Sequence, residues 1–181
     1  NGDHDGTGPV MTVKKDSEAY SRNGLVRFTV SDDFDITQFN NITLDFFIAS
    51  TNDSHSRTVL VYAVDNNWNE ADVTWETAPV LLQETPVATF EVLKADAGTY
   101  VQADVTEYVM GEIAKGNRTF SFKLAGQDVD SKGDFNIATK EADTGHPKIA
   151  FHTLTVKEVE NPVVDVVLGK TPELPATVDV L

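Results

Sequence analysis

Basic side chains recur at outward-facing positions of the predicted strands, where they are placed to bind anions. Lys14, Arg27, Lys123, Lys140 and Lys148 each fall opposite core residues in the alternation of their strands. The chain has only 14 Lys and Arg against 29 Asp and Glu. Arg binds carboxylates through paired hydrogen bonds, and Lys acts as a point charge. These residues therefore predict a basic strip suited to uronate or sulfate groups.

Arg22 joins this set because it flanks, together with Lys14, the turn that spans Asp16–Asn23. The predicted carbohydrate-binding residues are Lys14, Arg22, Arg27, Lys123 and Lys140. A structural alternative stays open, since lysines on exposed strand faces commonly block edge pairing and keep sheets soluble.

Aromatic side chains are the second kind of group that can bind sugars, because the C–H faces of sugar rings pack against them. Trp68 and Trp75 are the obvious candidates. Their place on a turn that leads to a strand and then to Pro79 favours structural plugs that close one end of the sandwich. Phe47 has outward parity on its strand, so either a ligand or a loop covers it.

An acidic loop is the candidate metal site. Alternating carboxylates with a glycine are typical of loops that wrap Ca²⁺ with oxygen ligands, and this pattern is carried by Asp128, Asp130 and Asp134. Lys132 stands where a ligand would be wanted, and no bidentate Glu closes the loop. A structural Ca²⁺ is therefore a weak hypothesis, and a solvated loop is the favoured interpretation; Asp3-His4-Asp5-Gly6 is a poorer second candidate.

Catalytic patterns find little support in this sequence. The histidines are scattered without metal-ligand spacing, there is no Gly-x-Ser-x-Gly elbow, and cysteine is absent. We therefore predict a non-catalytic module, with a catalytic β-sandwich kept as an alternative that polysaccharide turnover by this chain would favour.

Short runs in which apolar and polar residues alternate carry the candidate side chains described above. Such runs are typical of β-strands, and they occur almost throughout the chain. Clusters of Gly, Asn, Asp, Ser and Pro separate them. The predicted strands are Val10–Lys14, Leu25–Val30, Ile42–Ser50, Val59–Val64, Val87–Leu93, Tyr100–Val105, Phe120–Leu124, Asn136–Thr139 and Lys148–Val156. One helix is predicted over Glu107–Lys115, with Thr106 as its cap. The fold class is all-β, a jelly-roll-like antiparallel β-sandwich with one short helix.

Composition excludes several classes of partner. A net charge of −15 argues against nucleic acid, because binding to phosphates depends on clustered Lys and Arg. No apolar run approaches the roughly 20 residues that span a bilayer, so membrane insertion is not expected. The lack of cysteine says nothing about the compartment, and we expect an extracellular or bacterial cell-surface location.

The segment from Asp65 to Pro79 resembles the signature of DNRLRE-type domains, also described as carbohydrate-binding module family 96. The residues that carry the resemblance are Asp65-Asn66-Asn67-Trp68-Asn69-Glu70-Ala71-Asp72-Val73-Thr74-Trp75-Glu76-Thr77-Ala78-Pro79. Further stretches agree in order and spacing: Thr12 through Arg22 and then Leu25–Val30, Asp104-Val105-Thr106, and Phe135–Glu141 followed by Pro147-Lys148-Ile149. The resemblance implies a β-sandwich appended to polysaccharide-degrading enzymes and surface proteins, with acidic polysaccharides such as alginate as one ligand class.

A domain boundary is predicted near Glu160-Asn161-Pro162, which divides a sandwich over residues 1–160 from residues 161–181. The pattern from Gly169 to Val178 resembles the opening strands of a bacterial immunoglobulin-like domain of the Big_4 type. The alternative is a linker or a C-terminal edge strand.

These observations together predict a non-catalytic module that tethers a larger secreted or surface protein to a polysaccharide or glycan. Its partners would be that polymer and covalently linked neighbouring domains, in a parent that is a glycoside hydrolase or polysaccharide lyase. The rival hypothesis is a structural spacer or adhesin module of a bacterial surface protein.

Overall fold

The computed structural model describes residues 6–17, 20–52, 56–129 and 133–153. Within these ranges the chain forms nine strands and one α-helix. The strands are β1 (Val10–Val13), β2 (Gly24–Thr29), β3 (Asn41–Thr51), β4 (Arg57–Val64), β5 (Ala88–Val92), β6 (Tyr100–Asp104), β7 (Thr119–Gly126), β8 (Phe135–Ala138) and β9 (Lys148–His152), and the helix is α1 (Thr106–Ala114). Two short 3₁₀ helices lie at Ile36–Gln38 and Lys94–Asp96.

The strands form two antiparallel sheets. Sheet I has the order β1-β8-β3-β6, and β9 pairs with β3 as well. The long strand β3 meets β9 along Asn41–Asp45 and β8 along Ile48–Thr51, so both share one of its edges. Sheet II has the order β2-β7-β4-β5.

The core lies between the two sheets, because every strand places alternate apolar residues inward. In sheet I, Leu44 and Phe46 are fully buried, and in sheet II so is Phe122. The rings of Phe46 and Phe90 stack with centroids 5.5 Å apart, which joins sheet I to sheet II. The predicted all-β antiparallel sandwich with one short helix is confirmed.

The helix α1 begins one residue earlier than predicted, and its capping group differs. Thr106 is the first helical residue, and the Asp104 carboxylate accepts hydrogen bonds from its backbone N–H (2.9 Å) and its hydroxyl (2.6 Å). The Thr106 hydroxyl in turn accepts the Ile42 N–H at 2.8 Å. Thr106 therefore ties the helix to β3, and the carboxylate two residues before it satisfies the helical N–H.

All nine predicted strands are present, and the ends of the first eight shift by at most two residues. The ninth was predicted over Lys148–Val156, of which residues 154–156 lie outside the described ranges. The last of them ends at His152. The predicted division at residue 160 and the immunoglobulin-like interpretation of residues 161–181 lie outside the described residues and stay predictions.

Candidate functional site

The outward side of sheet II brings predicted site residues together through its strand register. Lys123 on β7 lies opposite Leu25 of β2 and Tyr62 of β4. Arg27 lies opposite Ser121, one row further along the same pair of strands. Diagonal neighbours on one face are about 7 Å apart, within reach of long side chains. Arg27 and Lys123 therefore share one surface.

Trp68 lies across this surface and fixes the position of Arg27. Its indole N–H donates to the Ser121 hydroxyl at 3.0 Å. The Arg27 guanidinium lies 4.2 Å from the centroid of the indole ring and also donates to the Trp68 carbonyl oxygen. Such cation–π contacts contribute about 0.5–2 kcal/mol. We call the surface formed by Arg27, Tyr62, Trp68 and Lys123, with the buried Ser121 beneath it, the cation face.

Lys123 is a partly buried cation on this surface. Burial lowers the pKa of its amine below the ordinary value of 10.5, because desolvation disfavours the charged form. Across the described residues it makes no ion pair, and its cross-strand neighbours are Leu25 and Tyr62. A carboxylate or sulfate from outside the chain would compensate this charge.

Two of the predicted cations are neutralised by the protein itself. Lys14 forms an ion pair with Asp16 at 2.9 Å, and both side chains are largely buried. Lys140 binds Glu141 and, at 3.2 Å, Glu70. The pKa of the Lys140 amine is raised first by the hydrogen bond to Glu141 and then by the one to Glu70. Because each of these lysines is paired with a carboxylate of the same chain, each attracts an anionic ligand less strongly than the sequence alone suggests.

Arg22 is exposed and lies two residues before β2. Its backbone pairs with that of Lys14 through hydrogen bonds of 3.0 and 2.8 Å, as expected for two residues that flank one turn. Its guanidinium donates to the Tyr20 carbonyl oxygen at 3.2 Å and meets no carboxylate in the part of the chain that the structure describes. Of the five predicted binding residues, Arg22, Arg27 and Lys123 thus form no ion pair within the described ranges, and the charge of Arg22 contributes to the lowered pKa of Asp16, after the hydrogen bonds from Lys14 and Ser17. Their role in binding stays a prediction.

The two tryptophans of the signature differ in environment. Trp68 packs on the outward side of sheet II, where the sequence predicted a plug at one end of the sandwich. Trp75 is 54% exposed, so a structural plug is not its role in this structure. The sequence analysis did not identify Ser121, which bonds to both Trp68 and Arg27. Its position on β7, two residues before Lys123 and therefore on the same face, could have indicated it.

The outward side of sheet I carries a polar hydrogen-bonded network and one covered aromatic pair. The Asp45 carboxylate accepts bonds from Thr43 (2.6 Å) and Gln102 (3.0 Å). Phe47 contacts Tyr100 edge to face at 5.3 Å, and a β-carbon built on Gly145 would lie 2.7 Å from the Phe47 ring. The loop that contains Gly145 therefore covers Phe47, which decides between the two alternatives that the sequence left open.

The acidic loop gives no metal centre among residues that can be placed. Asp128 and Asp134 are described, and the Asp134 carboxylate accepts the Asn52 amide at 2.7 Å. Asp130 and the second candidate, Asp3-His4-Asp5, lie outside the described ranges. No group of three His, Cys, Asp or Glu side chains within those ranges is placed to hold a metal ion.

The similarity of the chain to known proteins indicates its class. Of the helices in the described ranges, none has the length and apolar character to cross a membrane. None of the curated proteins matches this chain. The family model of carbohydrate-binding module family 96 matches residues 4–153, which is most of the chain and includes all of its described part. Such families comprise binding domains, not catalytic ones. The chain belongs to carbohydrate-binding module family 96.

Proposed function

We propose that this module binds an acidic polysaccharide through the cation face, with Arg22 at the turn before β2 as a further cation. The observation that carries the proposal is Lys123, a desolvated amine that meets no carboxylate among the described residues of a chain with net charge −15. In a chain with twice as many acids as bases, most cations are expected to find an acidic neighbour. A cation left without one favours an anionic ligand.

The geometry of Arg27 supports the same ligand class. Hydrogen bonds to Ser121 (3.4 Å) and to Trp68 fix its guanidinium before any ligand arrives. A guanidinium that is already ordered loses less side-chain entropy when it binds a carboxylate. Tyr62 and Trp68 add ring surface against which the C–H faces of a sugar can pack. Charge and ring surface together suit a uronate or a sulfated sugar.

We further propose that the module belongs to a larger secreted or cell-surface protein that processes polysaccharide, joined covalently to neighbouring domains. A binding module raises the local concentration of its neighbours on a polymer. Because many modules or chain repeats act together, each site needs only modest affinity. Arg22, Arg27 and Lys123 are enough cations for a site of this kind.

Affinity electrophoresis tests the proposal. The native chain is run in gels that contain alginate, polygalacturonate or a neutral β-glucan. We expect retardation in the acidic gels. The triple variant Arg22→Met, Arg27→Met, Lys123→Met should lose it.

The matched control changes net charge by the same amount at other positions: Lys94→Met, Lys115→Met, Lys140→Met. Lys115 and Lys140 are both exposed and ion-paired, and Lys94 is exposed on a 3₁₀ helix. This control should keep the retardation. Equal loss in both triple variants would show a response to net charge alone, and no retardation of the native chain would favour a structural spacer. Circular dichroism checks that both variants fold.

A further inference from the structure

A second surface lies at one end of the sandwich, between the turn that follows β4 and the end of α1. It is an open cleft of about 500 Å³. Its lining is Asp65, Asn66, Asn67, Leu82, Tyr108, Glu112 and Asn117. Pockets that bind small ligands have volumes of roughly 300–1,000 Å³. The size of the cleft is therefore adequate for a sugar residue.

The walls of the cleft are fixed by hydrogen bonds that leave other polar atoms available. The Asp65 carboxylate accepts the Asn67 backbone N–H at 2.6 Å through one oxygen. The Asn66 amide donates to the Thr119 carbonyl oxygen at 2.9 Å, which anchors the turn to β7. The Asn67 side chain has no hydrogen-bond partner in the described ranges. The hydrogen bonds thus fix the backbone of the turn that carries the Asn67 amide at the edge of the cleft.

The opposite wall is built around Glu112. One of its oxygens accepts the Lys115 amine at 2.7 Å and the other accepts the Asn117 amide at 2.6 Å. These bonds hold the Asn117 amide at the cleft and leave its carbonyl oxygen as an acceptor. Because both Glu112 oxygens are occupied, this carboxylate is a poor metal ligand here.

Tyr108 adds an aromatic side chain and a hydroxyl. Its ring packs edge to face on Phe122 at 5.7 Å, and its hydroxyl has no partner among the described residues. Burial, and then the charge of Glu112, raise the pKa of Tyr108 to about 12, so the hydroxyl stays a neutral donor at physiological pH. Beside it, Leu82 is 53% exposed and gives an apolar wall.

We propose that this cleft binds a neutral sugar residue. Its amide, carboxylate and phenol groups can donate to and accept from sugar hydroxyls, and its apolar wall suits the C–H face of the ring. The lining contains no basic side chain. Lys115 pairs with Glu112 from outside the lining, so it is chiefly the Asp65 carboxylate that disfavours uronates and sulfated sugars. This site is separate from the cation face and does not depend on the acidic ligand proposed there.

Nuclear magnetic resonance of the full ¹⁵N-labelled chain tests the inference with cellohexaose, mannohexaose, xylohexaose and an oligogalacturonate as probes. At millimolar concentration, at least one neutral probe should shift the amide signals of the turn from Asp65 to Asn67 and of Asn117. Loss of one neutral hydrogen bond should weaken this binding about two- to tenfold in Asn67→Ala and in Tyr108→Phe. The control Gln127→Ala, an exposed amide outside the cleft, should bind as the native chain does.

The outcomes separate this site from the cation face. Lys123→Met should leave binding of the neutral probe unchanged, and Asn67→Ala should leave retardation in acidic gels unchanged. The inference fails if no neutral probe shifts the cleft signals. It also fails if the oligogalacturonate shifts them, since the cleft would then accept the charge that its carboxylates are expected to repel.

Discussion

Replacement of Lys123 by Met should weaken binding of acidic polysaccharide without weakening the fold. Met keeps most of the length and the apolar character of the lysine stem, which lies beside Leu25 and Tyr62 on the sheet. Hydrogen bonds to charged groups contribute about 1.5–3 kcal/mol. We therefore expect affinity for polygalacturonate to fall by about 10- to 150-fold if Lys123 contacts a carboxylate directly.

Unlike most substitutions, Lys123→Met is not expected to destabilise the fold appreciably. The native amine is desolvated and makes no ion pair in the described part of the chain, so the variant loses no attractive charge interaction there. The free energy of unfolding should stay within about 0.5 kcal/mol of the native value or rise. Urea denaturation measures this change, and Lys94→Met is the exposed control.

The pH dependence gives a sharper test of the same reasoning. The pKa of Lys123 in the folded chain lies below its unfolded value near 10.5, so between these values the unfolded chain holds more protons. Stability of the native chain should therefore rise with pH across this window, and that of Lys123→Met should lack the rise. The reasoning is refuted if the variant unfolds more easily by over 1 kcal/mol at neutral pH, because the amine would then have a stabilising partner.

Three further predictions concern the fold. Gly145→Ala should lower the free energy of unfolding by about 1–3 kcal/mol, because Gly145 has φ +81° and a β-carbon would lie 2.7 Å from the ring of Phe47. Gly111→Ala, in the exposed interior of α1, should raise it by about 0.5–1 kcal/mol, and thermal unfolding compares the two variants. Phe122→Ala, at a fully buried position, should cost about 3–5 kcal/mol in urea denaturation. Hydrogen bonds from Lys115 and then Asn117 lower the pKa of Glu112 below its ordinary value of 4.5. The stability that the ionised carboxylate contributes is therefore fully present above pH 4.5 and is lost as the pH falls further. In thermal unfolding, the difference in stability between the native chain and Glu112→Gln should shrink over that acid range.

The strands could be predicted because each has one buried face, which imposes a period of two on its own sequence. Arg27 and Lys123 were assigned to an outward face from this period alone, and their placement on sheet II agrees with it. The pattern of a single strand does not indicate which other strands pair with it. The meeting of Arg27 with Lys123 follows from the pairing of β2 with β7, whose residues are far apart in the chain.

Charge compensation was beyond sequence reasoning for a related physical reason. Lys140 is neutralised in part by Glu70, a residue from a distant loop, so its pairing depends on how the loops are folded over the sheets. The Lys14–Asp16 and Lys140–Glu141 pairs are local, so spacing in the sequence contained a signal for them. The environment of Trp68 also arises from distant residues, since it binds Arg27 and Ser121 across the outward side of sheet II.

The turn from Asp65 to Asn69 gives the family signature a physical meaning that neither tryptophan alone would suggest. Trp68 extends from this turn towards sheet II and orders Arg27, while Asn66 and Asn67 line the cleft beside α1. The hydrogen bond from Asn67 to Asp65 and that from Asn66 to Thr119 fix the backbone from which these side chains project. One short segment thus positions groups on a cationic surface and on a cleft lined by carboxylates. A residue that only fixes this turn, such as Asp65, would therefore affect both surfaces, whereas Lys123 and Asn67 would each affect one.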